Sequence, residues 1–165
     1  MNRNFTERDI YAFSLKKEDE EMAEKKWEKH IVTDFRPGLE LPDFRGKPGV
    51  PNERSNFMIW LGDKAVKGSP YVEAVWLWEA AADPNAGFPA HVHDYDEVLG
   101  FIGTDTKNVQ DMGGEIEFWI EDEQYMLTKT CMIYVPKGIT HCPIKFIKID
   151  RPIFHFLMVT GGNYS

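Results

Sequence analysis

Three of the five histidines in this 165-residue chain stand, with one glutamate, at spacings suited to holding a metal ion. His91-Val92-His93 sets two imidazoles two positions apart, and Glu97 follows at an even offset from both. In extended chain, side chains two apart leave the backbone on the same side, so His91 and His93 project together. A short bend over Asp94 to Asp96 lets the Glu97 carboxylate return to that side. His141 comes much later, behind the turn Pro136-Lys137-Gly138 that ends a strand over Met132 to Val135. If that strand lies beside the one bearing the first three groups, all four converge on one point. Imidazole and carboxylate together suit Fe, Mn, Ni, Zn or Co in the divalent state. The expectation is one divalent transition metal per chain, with His91, His93, Glu97 and His141 as ligands. A lone buried histidine is more often a satisfied core residue. A set of several inward polar groups needs partners, and a shared ion supplies them at once.

The elements that must position these groups are nearly all β. From Phe57 onward, strands are expected at Phe57–Leu61, Tyr71–Ala81, Glu97–Ile102, Glu115–Glu121, Gln124–Thr130, Met132–Val135, Phe146–Ile149 and Ile153–Thr160, with Gly, Pro, Asn and Asp between them. Glu115, Glu117, Trp119 and Glu121 alternate with Ile116, Phe118 and Ile120, the period of a two-faced strand. Many short strands without intervening helices predict an antiparallel sandwich or barrel.

Parity gives a first map of the interior. With Glu97 inward, Leu99 and Phe101 point inward too. On the last strand the inward set is either His155 and Leu157, or Phe154, Phe156 and Met158. Trp76 and Trp78 share one face of their strand and suggest an aromatic-lined mouth, or else plain core or interface packing. Cys142, directly after His141, is expected to point away from the metal as buried packing. Tyr95, Tyr125 and Tyr134 are candidate proton donors, or ordinary tyrosines.

The first part of the chain is different. Residues 1–34 read as a helical N-terminal extension and residues 35–165 as the β domain. Lys16 to His30 is rich in Glu and Lys, with Glu21 and Lys25 at helical spacing. Thr6 and Asp9 resemble a helix start, and Trp27 and Ile31 could tether the extension to the body. Between Phe35 and Asn56, Pro37, Pro42, Pro48 and Pro51 predict loop that wraps the domain, anchored by Leu39, Leu41 and Phe44.

Composition narrows the partners. A net charge of −8 disfavours nucleic acid and anionic membranes. No apolar run approaches the length of a membrane span, and Met1 to Ser14 lacks the apolar stretch of a secretory signal. The two cysteines, Cys131 and Cys142, form no disulfide framework. The expected location is the cytoplasm.

The two histidine-bearing segments resemble the motifs of the cupin superfamily. The first family motif runs Gly, His-x-His and, a few residues on, Glu; here it is Gly87 through His91-Val92-His93 to Glu97. The second runs Gly, Pro-x-Gly-x-x-His, then Asn; here it is Pro136-Lys137-Gly138-Ile139-Thr140-His141. The resemblance covers Tyr71 to Thr160. It departs from the family where Gly87 sits closer to His91, where Thr130 and Lys145 replace the second motif's Gly and Asn, and where Thr104 to Met112 reads as an insertion. It implies an all-β, jelly-roll-like cupin barrel, a double-stranded β-helix with one metal on three His and one Glu. It also implies a homodimer and a small-molecule ligand or substrate. Cupins include dioxygenases, isomerases, lyases and sugar-binding regulators, so fold alone does not select the activity. The leading expectation is an enzyme acting on a small oxygenated molecule, a dioxygenase or a metal-assisted isomerase or lyase. A non-catalytic binding or sensing cupin is the alternative.

Overall fold

Alternation of buried and less buried side chains is clearest in the segments Tyr71–Leu77 and Ile153–Val159. In a computed structural model the described residues are 26–41, 54–81, 83 and 87–164. They contain nine strands: β1 (Ser55–Leu61), β2 (Tyr71–Leu77), β3 (Gly87–Phe88), β4 (Glu97–Gly103), β5 (Asp111–Ile120), β6 (Glu123–Lys129), β7 (Cys131–Val135), β8 (His141–Ile149) and β9 (Ile153–Val159). They form a five-stranded sheet in the order β1-β2-β9-β4-β7 and a four-stranded sheet in the order β3-β8-β5-β6. Every pairing is antiparallel. The expected all-β class and cupin architecture are what is observed.

The chain divides into two compact units, Met1–Ile31 and Val32–Ser165. In the first, the described residues form one 3-10 turn, Glu28–His30. The helices expected earlier, with Thr6, Asp9, Glu21 and Lys25, lie outside the described residues. Trp27 and Ile31 are both exposed. No helix among the described residues is long and apolar enough to cross a membrane.

In the second unit, Tyr71, Glu73, Val75 and Leu77 of β2 are buried while Val72, Ala74 and Trp76 are only half-covered. Strand β2 stops at Leu77, short of the expected Ala81, because the Trp78 and Glu79 amides both donate to the Arg54 carbonyl and turn the chain away. In β5, Ile116 and Phe118 are buried, following the expected alternation. That strand begins at Asp111, so the expected insertion ends sooner than Met112. Asp111 pairs with Lys129, accepts from the Gly113 amide and meets Arg151 at 2.6 Å. Gly113 has φ +82°, where a side chain is strained, and its carbonyl accepts from the Asp150 and Arg151 amides.

Strand β4 is the centre of the site's support. It lies between β9 and β7, with Glu97 in one row with Val159 and Val135. Leu99 and Phe101 are buried beside it, as parity predicts. Gly100 is needed where the Phe156 ring crosses the strand: a Cβ there would stand 2.1 Å from the ring. On β9 the open choice resolves to His155 and Leu157 inward, with Phe154, Phe156 and Met158 outside. The segment before β1 packs on the same unit. The Trp60 indole donates to the Arg36 carbonyl at 2.9 Å, and Phe35 meets Phe57 edge-on. Leu39 and Leu41 join the core, while Pro42, Phe44, Pro48 and Pro51 lie outside the described residues.

Candidate metal centre

Backbone pairing brings the two histidine segments together. His91 and His141 form an isolated antiparallel bridge, with each amide donating to the other's carbonyl at 3.0 and 3.1 Å. The Gly138 amide donates to the His93 carbonyl, so the Pro-x-Gly turn also docks on the first segment. Strand β7, which leads into that turn, pairs with β4, placing Val135 opposite Glu97. His141 opens β8; the expected strand over Phe146–Ile149 is longer and includes the histidine itself. His91 and His93 precede β4 and lie outside any strand, not on the single extended strand expected for them.

The ligand atoms fall into two overlapping groups. Those of His93, Glu97 and His141 all lie within 4.8 Å of one another, and so do those of His91, His141 and Cys142. The His91 and His141 rings are 4.4 Å apart, His93 and His141 4.8 Å, and His91 and His93 5.9 Å. Of the four expected residues, His93, Glu97 and His141 form one group, and His91 joins them only through His141, which is common to both.

Hydrogen bonds fix which nitrogen each ring presents. Nδ1 of His91, His93 and His141 faces the backbone carbonyl of Pro89, Tyr95 and Ile139 at 2.8, 2.8 and 3.1 Å. A carbonyl only accepts, so Nδ1 carries the proton and Nε2 presents a lone pair. Metal-bound histidines are commonly oriented in this way. The consequence is a conflict at the carboxylate. Glu97 Oε2 lies 3.0 Å from His141 Nε2 and 3.5 Å from His93 Nε2. With Nδ1 protonated on both rings, these are contacts between acceptors, and Nε2 of His93, Nε2 of His141 and Oε1 of Glu97 have no hydrogen-bond partner despite being buried. A proton or a cation between them relieves that arrangement. The residues therefore fit a divalent metal: two imidazoles and a carboxylate converge, with a third imidazole beside them.

The electrostatics agree. Burial pushes the Glu97 carboxyl up, but in the ion-free site protonated His141 and His93, donating from Nε2 and carrying positive charge, outweigh it and hold the group below the ordinary carboxylate range; a cation in their place would act in the same sense. Burial lowers His91 from its usual value, which favours the neutral, ligating imidazole.

Around this point lies a small cavity, partly open to solvent. Phe88, Leu99, Ile144 and Leu157 give it an apolar wall, and His155 and Tyr164 add polar groups. The Tyr164 hydroxyl reaches 3.4 Å from His91 Nε2. His155 Nδ1 donates to the Gly100 carbonyl at 2.9 Å, and its ring stacks on Phe101. Neither residue was singled out for the site by motif. His155 could have been found from strand parity, whereas Tyr164 follows the last strand, where no periodicity marks it.

Several expectations need correction. Trp76 packs against Phe154 on the outer face and Trp78 lies past the strand end, so neither lines the mouth; Phe88 and Tyr164 supply its aromatic groups. Cys142 is buried as expected but faces the cavity, because its φ of +66° breaks the alternation that would have turned it away from His141. Tyr125 and Tyr134 are exposed, while Tyr95 stacks on the His93 ring at 4.1 Å.

No protein-family model matches the sequence, and no curated protein matches it either. Solved structures do. Two structures of oxalate oxidase, one in complex with the substrate analogue glycolate, are 13% identical over 87% of this chain and 65% of their own, with TM-score 0.50. The cupin domain of Schizosaccharomyces pombe Cnp3 is 16% identical over 58% of this chain and 55% of its own, with TM-score 0.40. This chain thus spans less than two thirds of the length of each, and the likeness is one of fold. Two antiparallel sheets in this order, with both histidine motifs meeting between them, give the chain the cupin fold.

Proposed function

We propose that this protein is a mononuclear metal-dependent enzyme that acts on a small oxygenated organic molecule, with His91, His93, Glu97 and His141 as the metal ligands. One observation carries the reading: buried acceptor atoms of His93, Glu97 and His141 face one another without a donor between them. A divalent ion there supplies Lewis acidity toward an oxygen donor or, if iron, a site for dioxygen activation.

The surrounding residues define what could bind. Among the described lining residues there is no Lys or Arg. A substrate is therefore held by its oxygen donor at the metal and by its carbon skeleton against Leu99, Ile144 and Leu157. The Tyr164 hydroxyl, beside His91, can donate a hydrogen bond to a bound oxygen or carry its proton. The apolar wall keeps bulk water from one side of the cavity, which strengthens electrostatic effects inside. This favours either dioxygenation or isomerase and lyase chemistry through a stabilised enolate or alkoxide. Neither cysteine is in a disulfide, which accords with a cytoplasmic enzyme.

The test is elemental analysis of purified protein, followed by dioxygen uptake over a panel of catechols, diketones and thiols. About one transition metal per chain with uptake supports a dioxygenase. Metal without uptake, but with isomerisation or elimination of a hydroxy or keto compound, supports the second branch. Metal without turnover of any kind leaves a binding or sensing cupin. Absence of metal after reconstitution refutes the reading.

A further inference from the structure

Cys142 stands where regular alternation would not put it. In an extended strand, neighbours in sequence leave on opposite sides. His141 and Cys142 are consecutive, yet both are buried and both line the cavity. The cause is local: Cys142 adopts φ +66°, a region that residues other than Gly, Asn and Asp seldom enter. An outlier of that kind at a cavity is a reason to ask what the side chain does there.

The thiol lies in a group of potential ligands. Its sulfur and the ligand nitrogens of His91 and His141 are mutually within 4.8 Å. A separate observation points to an ion at the same place. His141 is fully buried, and its Nε2 is aimed into the cavity without a hydrogen-bond partner. His141 belongs to both ligand groups: its Nε2 stands 3.0 Å from the Glu97 carboxylate, and one of its ring nitrogens is grouped with the Cys142 sulfur.

We infer that Cys142 is a further ligand of the metal centre, binding as thiolate beside His91 and His141. The inference rests on the proposed metal site and adds sulfur to its donor set. On ligation the S–H bond breaks, a sulfur–metal bond forms, and one proton per chain passes to solvent. Sulfur shifts the preference of the site toward thiophilic ions such as zinc and cobalt, relative to manganese. It also occupies one position that four ligands would have left open. An ion of coordination number six then keeps a single place for an exogenous donor, so a substrate would bind through one oxygen and not as a chelate.

Cobalt(II) is the probe, because a thiolate ligand gives a sulfur-to-cobalt charge-transfer band in the near ultraviolet that nitrogen and oxygen ligands do not. Metal-free protein is reduced with a phosphine, titrated with cobalt(II), and followed by absorption and by bound-cobalt analysis. The expected result is a charge-transfer band that saturates at about one cobalt per chain. It should vanish in Cys142→Ser with cobalt still bound, and Cys142→Ser should release one proton fewer on loading. Cys131→Ser should keep the band, which identifies the sulfur by elimination even if Cys142→Ser fails to fold. Cobalt bound to the wild type without the band overturns the inference and leaves the proposed metal enzyme standing. A band that persists in Cys142→Ser overturns it too. No cobalt binding at all overturns both.

Discussion

Metal should stabilise the wild type, and removing two of the proposed ligands should abolish that stabilisation. The donors come from separate places in the fold: His93 before β4, Glu97 at its first residue, and His141 at the first residue of β8. Only folding gathers them, so the ion binds the native state in preference to the unfolded chain, which keeps just the local pair His91-Val92-His93. At free metal one hundred times Kd, such linkage contributes about 2.7 kcal/mol. For a chain of this size each kcal/mol moves Tm by about 2–4 °C, so loading should raise it by about 5–11 °C. Residual binding by the unfolded pair trims the upper end. Manganese(II) is the suitable ion, since it favours oxygen donors and depends on the Glu97 carboxylate. The assay is a thermal scan of chelator-treated protein with and without manganese. The wild type and His30→Ala, whose imidazole lies in the 3-10 turn, should both shift; the His93→Ala, Glu97→Ala double variant should not. A double variant that shifts as far as the wild type would refute the ligand assignment.

Four further outcomes are expected. Gly100→Ala should cost about 1–3 kcal/mol in denaturant unfolding, because its Cβ would stand 2.1 Å from the Phe156 ring; an unchanged midpoint would contradict that close approach. Leu157→Ala, which truncates a fully buried cavity residue, should cost about 2–5 kcal/mol yet leave metal content unchanged. Replacing Thr106 to Val109 with an Asn-Gly turn should also leave metal content unchanged; the cut stops before Gln110, whose carbonyl holds the Thr130 amide. Loss of metal from that folded variant would mean the loop reaches the site. The protein is expected to be a homodimer, since edge strand β7 leaves Met132 and Tyr134 69% and 59% exposed. A monomeric mass by light scattering at high micromolar concentration would rule that out.

The sequence made the cupin architecture and the four clustered side chains legible because both rest on short-range patterns. Alternation in β5 and parity from Glu97 to Phe101 reflect a pleat that every strand obeys. Parity failed at Cys142, where the backbone leaves the pleat at positive φ. It could not decide β9, because the outer face is also apolar: Phe154 meets Trp76 there and Phe156 covers Gly100. The same outer packing drew Trp76 away from the cavity. Tyr164 was invisible for a different reason, since a residue beyond the last strand is placed by tertiary contact and carries no periodic mark. The length of β8 was missed because Pro143 stands where a strand would ordinarily be interrupted.

The bridge between His91 and His141 carries a mechanical consequence. Glu97 belongs to the five-stranded sheet and His141 to the four-stranded one, so an ion touching both spans the seam between the sheets. Among the described residues, the segment before β4 is tied to β8 here by the two amides exchanged between His91 and His141, and to the turn before β8 by the Gly138 amide on the His93 carbonyl. Those amides act as a hinge pin. With the clasp of the ion in place, opening of the sheets at the cavity requires breaking metal bonds as well as hydrogen bonds. Without it, those hydrogen bonds and the apolar packing between the sheets set how often the cavity opens, and hydrogen exchange at the amides of His91 and His141 should quicken while exchange at the central amides of β4 does not. Access to the interior would then be governed by occupancy of the seam.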